Sequence, residues 1–269
     1  MTLDDLMGEL ERLGTEQNRK TYRRHGAPEP LFGVSYAHLG ALQKRIKTDH
    51  ALAEALWGTG NADARTLATM IADPSRFTLA QLDAWAKSAR HHGLVDGLTL
   101  HVASKSRFAR EAAERWMASD DEHIGRAGWN LVGHLATGDA SLPDALFERH
   151  IATIQAGIHA AKNRTREAMN TALINIGARN EALREKAIAA ARRIGKVEVD
   201  HGDTACKTRE AVEYIEAMWA RRAMGKTAGV TAATRAAAKK APAKKAPAKK
   251  AAAKKAPAKK APARTASRS

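Results

Sequence analysis

Apolar residues recur at helical spacing along almost all of residues 1–225, and this pattern limits the possible folds more than any other feature. Ile151, Ile154 and Ile158, for example, fall on one face of a predicted helix. The strand-like alternation of apolar and polar residues is nearly absent. Its one short candidate, at 197–199, is interpreted as a loop. The periodicity therefore predicts an all-α fold.

Twelve helices are predicted, most of them about 11 to 17 residues long. Their approximate spans are 2–13, 35–47, 49–57, 61–72, 78–88, 91–103, 106–117, 120–136, 144–160, 163–177, 180–194 and 207–223. Taken in pairs they make units of roughly 30 to 40 residues, the period of helical solenoids. Because no helix is long enough to organise a bundle core, we predict a HEAT-like helical-repeat solenoid of about six helix pairs rather than a compact bundle.

Polar residues mark several predicted helix starts. Thr2, Thr78 and Ser119 each stand three residues before an acid or amide, which is the capping-box spacing. Only 4% of the chain is Phe, Trp or Tyr, so the core is predicted to consist largely of Ala, Leu and Ile. The five Trp residues lie at helical spacing among Leu and Ala, which favours core packing over base stacking.

Residues 226–269 differ sharply from the rest of the chain. They contain 14 Lys and Arg residues and no acid, so residues 1–225 keep only +2 of the formal net charge of +16. Between Lys239 and Pro262 the motif Lys-Lys-Ala-Pro-Ala repeats with a five-residue step. A segment with four prolines and almost no apolar side chain larger than Ala cannot offset its ordering entropy by burial. We predict two regions, a folded domain at 1–225 and a disordered tail at 226–269.

The charge of this tail predicts a polyanionic partner. Lys residues that neutralise phosphates release counterions, and this requires no fixed shape. The composition also resembles the C-terminal tails of linker histones, which implies non-specific binding to nucleic acid. A solubilising linker and an anionic membrane surface remain as alternatives. No adjacent amphipathic anchor favours the membrane.

Other features exclude whole classes of protein. A single Cys excludes a disulfide framework and a thiolate zinc cluster. No apolar run approaches the roughly 18 residues that a membrane-spanning helix needs. The acidic, amphipathic start is unlike a signal peptide. We expect a soluble, cytoplasmic, nucleoid-associated monomer with no membrane partner.

Basic residues of the folded domain cluster at intervals, often at predicted helix ends. A solenoid would collect such clusters along one edge, where they could follow DNA phosphates. An ordinary solvated surface is the alternative for any single cluster. The candidate contacts to the DNA backbone are Arg23, Arg24, Lys44, Lys47, Lys105, Arg107, Arg164 and Arg166.

Several ordered motifs resemble one known family, over roughly residues 20–222. They are Tyr22-Arg-Arg-His-Gly-Ala-Pro, Phe32-Gly-Val, Leu56-Trp57 with Asp63, Asp73-Pro74, Trp116-Met-Ala-Ser-Asp120 and Arg126-Ala127. Their order and spacing are similar to those of the DNA alkylation repair family, the AlkD-type HEAT-like-repeat alkylpurine DNA glycosylases. The resemblance implies a helical solenoid that binds double-stranded DNA, with alkylated or distorted DNA as its partner. It also implies hydrolysis of the N-glycosidic bond of cationic alkylated purines.

The same resemblance implies a sparse active site without a cofactor or metal. The family's catalytic carboxylate falls on Asp96, its DNA-gripping arginine on Arg126, and a lesion contact on His92. A cationic purine leaves without a general acid, so one carboxylate that stabilises the oxocarbenium-like sugar suffices. The family's active enzymes carry Trp where this chain has His92 and, on a later helix, near Thr171.

Alternatives remain for each of these residues. Asp96 could be a helix residue paired with a neighbouring Arg or Lys, and Arg126 an ordinary surface arginine. The stretch from Asp200 to Lys207 holds one His, one Cys and two Asp, but its spacing matches no standard zinc site. We predict a loop there that caps the last helix, with Thr208 as the N-cap. At the level of function, the alternatives to a glycosylase are a DNA-binding module for damaged, branched or bent DNA or for nucleoid organisation, and a protein scaffold.

Overall fold

The computed structural model describes residues 1–224, which are all-helical apart from an isolated β-bridge between Gly14 and Val34. The helices are α1 (Leu3–Leu13), α2 (Glu16–Arg24), α3 (Tyr36–Ile46), α4 (His50–Gly58), α5 (Ala62–Ile71), α6 (Leu79–Ser88), α7 (His92–His101), α8 (Ala109–Met117), α9 (Glu122–Gly138), α10 (Asp144–Gly157), α11 (Asn163–Gly177), α12 (Glu181–Ile194) and α13 (211–224). The all-α prediction is confirmed. The predicted disordered tail lies outside the described residues.

Residues Met1–Ala223 form one compact unit with two layers of helices. Helices α3, α5, α7, α9 and α11 pack side by side in one layer, which we call the inner layer. Helices α6 and α8, and α10 and α12, pack together in the other. Helix α13 lies against α11, where Trp219 Nε1 donates a hydrogen bond to the carbonyl of Gly177 (2.9 Å). The pairs α4/α5 to α12/α13, preceded by α1–α3, make the predicted helical-repeat solenoid.

Helices α9 and α11 of the inner layer run in the same direction. Gly125 of α9 lies against Thr165 of α11 and, two turns later, Gly133 lies against Asn175. Gly97 of α7 lies similarly close to Thr69 of α5. The N-terminal halves of α9 and α11 therefore lie on one side of the layer, and this is where the site forms.

The core has the predicted composition, mostly Ala, Leu and Ile side chains. Small residues let helices approach closely. A Cβ at Gly128 of α9 would lie 2.1 Å from the backbone nitrogen of Met117 in α8. The rings of Trp57 and Trp85 are buried and stack at 3.9 Å. Trp116 and Trp129 are also buried and Trp219 is half-buried, so the prediction that these rings pack in the core is confirmed.

Helix α2 was not predicted from the sequence. None of its nine residues is buried, so it lacks the apolar stripe that periodicity detects. Its position depends on polar contacts instead. Thr15 caps its N-terminus by accepting a hydrogen bond from the amide of Asn18, and the hydroxyl of Tyr22 donates to the carbonyl of Val34 (3.0 Å).

Two of the three predicted capping boxes are present, at Thr2 and at Thr78. The one at Ser119 is wrong, because Asp121 caps α9. The Glu122 carboxylate instead accepts the amide N–H of Arg164 on α11 (2.6 Å), a contact that no local pattern encodes. Thr208 is not the cap of the last helix either. The Glu210 carboxylate accepts the amides of Val212 and Glu213.

Candidate functional site

Asp96 on α7 and Arg126 on α9 form a two-pronged ion pair across the inner layer. Arg126 donates from Nε to Oδ1 and from Nη2 to Oδ2 of Asp96, both at 2.8 Å. Asn130, one turn after Arg126, donates to the same Oδ1 (2.7 Å). Paired N–H donors in a guanidinium plane match a carboxylate, so this contact fixes both side chains. The structure thus brings together two of the three residues to which the resemblance assigns a role at the reacting nucleotide.

Glu167 on α11 completes the network from the other side. Its Oε2 accepts from Arg126 Nη1 (2.8 Å) and from Arg164 Nη1 (3.1 Å). The Arg126 side chain is only 9% exposed, whereas that of Asp96 is 43% exposed. Arg126 is therefore an internal cation between two carboxylates rather than a surface arginine. Asp96 keeps an edge open to solvent.

The network keeps both carboxylates ionised. Burial by itself would raise the pKa of Asp96, but the hydrogen bonds and charge of Arg126 outweigh it and lower the pKa below its usual value. Burial opposes ionisation of Glu167 too, and the nearby Arg126 and Arg164 lower its pKa. At neutral pH the site holds two carboxylates and two guanidinium groups.

His92 begins α7, one turn before Asp96. Its ring lies 4.6 Å from that of His91 and 6.2 Å from that of His25. Burial, and then the nearby His91 and Arg126, lower the pKa of His92 to about 3. The ring is therefore uncharged at neutral pH and would not repel a cationic base.

These residues line a cleft of about 500 Å³. Counting histidines as neutral, its lining carries two carboxylates and four cations, a net charge of +2. The lining residues are His25, His92, Asp96, Leu100, Arg126, Asn130, His134, Arg164, Glu167, Asn170, Thr171, His201, Thr204, Cys206, Lys207, Thr208 and Arg209. His92 and Thr171 both belong to this lining, and it contains no Trp among the described residues.

One wall of the cleft comes from residues 200–209, which we call the 200–209 loop. The sequence predicted only a helix-capping role there, and the structure adds that this loop faces the Asp96 network. The chemistry of its residues was visible in the sequence, but its position was not. Within residues 1–224, no group of three or more His, Cys, Asp or Glu side chains is arranged to hold a metal ion.

The predicted contacts to the DNA backbone occupy different places. Arg164 lines the cleft beside Glu167. The guanidinium of Arg166 is bound to four backbone carbonyls, those of residues 158, 159, 161 and 198. The other predicted contacts are exposed and lie outside the cleft lining. They are Arg23, Arg24, Lys44, Lys47, Lys105 and Arg107.

None of the helices in residues 1–224 is both long and apolar enough to cross a membrane.

Comparisons with known proteins show which family this chain resembles. Residues 6–215 match the model of the DNA alkylation repair enzyme family. Two uncharacterized proteins, Lmo0209 of Listeria monocytogenes and Lin0241 of Listeria innocua, are each 33% identical over 224 residues. These matches cover 80% of this chain and 96% of each relative.

A solved structure is similar as well, with a TM-score of 0.76 and 33% sequence identity. The match covers 82% of this chain and 95% of the other. That protein is described as one of a new family related to the HEAT-like repeat DNA glycosylases, with affinity for branched DNA structures.

Proposed function

Because this chain belongs to the DNA alkylation repair enzyme family, we propose that it binds DNA in the cleft beside Asp96 and prefers branched or distorted duplexes to regular ones. The similar protein of known structure is described as having affinity for branched DNA. The surplus of cations in the cleft lining supports the same class of ligand, since phosphate neutralisation dominates the affinity for DNA.

The observation that carries this proposal is that no Trp, Tyr or Phe side chain of residues 1–224 lines the cleft beside Asp96, where the only rings are histidines. An enzyme that extrudes a base needs a pocket that stacks the base, because extrusion costs a few kcal/mol. Stacking on an aromatic ring recovers about 1 to 3 kcal/mol per base. Here the resemblance implies His92 in place of one family Trp and a non-aromatic residue near Thr171 in place of the other, and four of the five Trp rings are buried in the core. Binding without base extrusion is therefore favoured.

We assign the phosphate contacts to Arg164 in the cleft and to Arg23, Arg24, Lys44, Lys47, Lys105 and Arg107, which are exposed outside the cleft lining. Arg166 is left out, because backbone carbonyls already occupy its guanidinium. Arg126 also acts indirectly, as the buried cation that holds Asp96 and Glu167 in place. The tail at 226–269 would add affinity without selectivity, since it carries 14 cations and no acid.

Binding is tested by measuring dissociation constants for a four-way junction and a linear duplex of equal length, over a range of salt concentrations. Tighter binding to the junction and a steep salt dependence are expected. Deleting 226–269 should flatten the salt slope by several units, and it should preserve the preference for the junction. Equal affinity for both DNAs would contradict the proposal.

A matched pair of variants locates the surface. Arg164→Gln should reduce the salt slope by about 1, as expected for the loss of one phosphate contact. Arg192→Gln removes the same charge from an exposed position on α12, in the other layer, and should change nothing. If both variants behave alike, the cleft is not the DNA-binding surface.

Excision of alkylated purines is the second candidate, and the exposed edge of Asp96 favours it. The carboxylate is ionised and opens into the cleft, and the uncharged His92 would not repel a cationic base. The carboxylate would stabilise the oxocarbenium-like sugar after the base departs. Release of free base from methylated duplex DNA, compared between the wild type and Asp96→Asn, decides this. Release by the wild type alone establishes a glycosylase, whereas no release by either leaves binding as the function.

A further inference from the structure

The 200–209 loop lines the Asp96 cleft with two basic residues. We propose that it is a preorganised DNA-contacting wall, with Lys207 and Arg209 bound to phosphates of the DNA in the Asp96 cleft. This inference rests on the proposed function and names a part of the contact surface. Three features support it, namely how the loop is anchored, how it is closed, and how its charges are distributed.

One face of α11 anchors the loop. Asn163 donates to the carbonyl of Asp200 and accepts its amide N–H, both at 2.7 Å. Asn170, which is buried, donates from Nδ2 to the carbonyl of Arg209 (2.8 Å). Arg166 donates to the carbonyl of Glu198 just before the loop (2.9 Å). Residues three and seven apart share a helix face, so these three side chains form one continuous anchor.

A neighbouring face of the same helix serves the Asp96 network. Arg164, Glu167 and Thr171 repeat the spacing of three and seven residues, one position later along α11, and all three line the cleft. Helix α11 therefore fixes the loop and the ion-pair network in one rigid frame. Any group that the loop contacts would therefore be held at a fixed position relative to Asp96.

Bonds within the loop close it on itself. The ring nitrogen Nε2 of His201 lies 3.1 Å from Oγ1 of Thr208, which joins the two ends. The amide of Gly202, whose φ of +60° suits glycine, donates to Asp200 Oδ1 (2.8 Å). Thr204 Oγ1 donates to the carbonyl of His201 (2.9 Å). A loop closed in this way loses little conformational freedom when a ligand binds.

The loop separates its charges. It contains two acids and two bases, but only the bases, Lys207 and Arg209, line the cleft, whereas Asp200 and Asp203 do not. Both bases are exposed, and neither has a carboxylate partner among residues 1–224. The two carboxylates of the cleft are already bound to Arg126 and Arg164. Arg209 lies over the ring of Tyr214 (4.8 Å), a contact that leaves its charge without a carboxylate. Two cations without a carboxylate partner on a fixed wall of a cleft suit the phosphates of a nucleic acid backbone.

Charge removal provides the first test, in the full-length chain with a four-way junction as the probe. Lys207→Gln and Arg209→Gln should each weaken binding and lower the salt slope by about 1, and the double variant by about 2. The control is Lys196→Gln. Lys196 is also exposed, lies just before the loop and pairs with Glu198, but it does not line the Asp96 cleft. It should bind like the wild type. A control that weakens binding as much as Lys207→Gln would overturn the proposal.

The single cysteine provides a second test, which measures protection of the loop by bound DNA. Cys206 is exposed on the cleft side of the loop. Saturating junction DNA, with occupancy confirmed by fluorescence anisotropy, should slow its alkylation by iodoacetamide severalfold, and the Lys207→Gln/Arg209→Gln variant should lose this protection. If DNA is bound and the alkylation rate is unchanged, the loop is outside the interface and the proposed function survives. If no DNA binds, both fail together.

Discussion

Two carboxylates in the inner layer, Asp63 on α5 and Asp96 on α7, are held in opposite ways. Asp63 is buried and accepts three backbone amides, those of Phe32, Gly33 and Val34, at 2.7 to 3.0 Å. Asp96 is half-exposed, and its carboxylate accepts hydrogen bonds from the side chains of Arg126 and Asn130. The first side chain fixes a loop. The second belongs to a network that faces a cleft.

The difference shows in the pKa values of the two carboxyls. Burial raises the pKa of Asp63 in spite of its three amide hydrogen bonds. For Asp96 the same effect of burial is outweighed by Arg126, and the pKa falls. The three amides and the nearby Arg19 lower the pKa of Asp63, but burial raises it by more. At Asp96 the hydrogen bonds and charge of Arg126 outweigh burial. A carboxylate that is buried and bonded to backbone amides holds the fold together. A carboxylate that is held by side chains and keeps one edge exposed remains available to a ligand.

The largest expected effect is on folding, at Asp63. Asp63→Asn turns an amide NH₂ toward at least one of the three backbone N–H donors and leaves it buried without an acceptor. That N–H and the new NH₂ are then both buried without an acceptor, and each costs about 1 to 3 kcal/mol, so the free energy of unfolding should fall by about 2 kcal/mol or more. Urea denaturation measures this. If Asp63→Asn lowers the free energy of unfolding by less than Asp96→Asn does, the distinction between the two carboxylates is wrong.

The next effect is a loss of stability in acid, caused by histidines at the start of α7. Burial lowers the pKa of His91 to about 4 and is the main cause that lowers the pKa of His92 to about 3, whereas both rings titrate near 6.5 when unfolded. The unfolded chain therefore binds more protons below pH 6.5, and stability falls as the pH falls toward 4. Each ring contributes up to about 1.4 kcal/mol per pH unit.

Urea denaturation between pH 7 and pH 4.5 measures this slope. His92→Gln should make it shallower, by the contribution of one ring. His38 is exposed on α3, so His38→Gln should leave the slope unchanged. An identical slope in all three proteins would mean that His92 titrates normally in the folded state. Asp96 would then no longer have an uncharged histidine, His92, as its neighbour.

The smallest effect on stability, and the most informative one for function, is expected for Asp96→Asn. The amide retains one oxygen for Arg126 but turns its NH₂ toward another N–H donor of that cation. Because residue 96 has an edge open to water and Glu167 still pairs with Arg126, the loss should be only about 1 to 2 kcal/mol. DNA affinity should stay the same or rise, because a carboxylate near phosphates is repulsive. Unfolding at 25 °C would make Asp96 structural, like Asp63. Weaker binding in a folded variant would show that the carboxylate itself contacts the ligand.

The local patterns of the sequence predicted most of the helices. Helix α9, with its buried stripe, was found at nearly its observed bounds, whereas α2 was missed because it buries nothing. The cap at Ser119 was wrong because the Glu122 carboxylate bonds a different helix, 42 residues away. Periodicity reports which face of a helix is buried. It contains no information about polar contacts between distant segments.

For the candidate site too, some residues were predicted from the sequence and others were found only in the structure. The resemblance to a family placed Asp96, Arg126 and His92 in one site, and the structure brings all three to one cleft. Nothing in the sequence predicted that Glu167 shares Arg126 with Asp96, or that the 200–209 loop forms the opposite wall. By itself the sequence determined an all-helical chain with a cationic tail, because periodicity and charge are local properties. Only the tertiary structure decided which carboxylate anchors a loop and which faces the cleft, because that depends on donors from segments about 30 residues away.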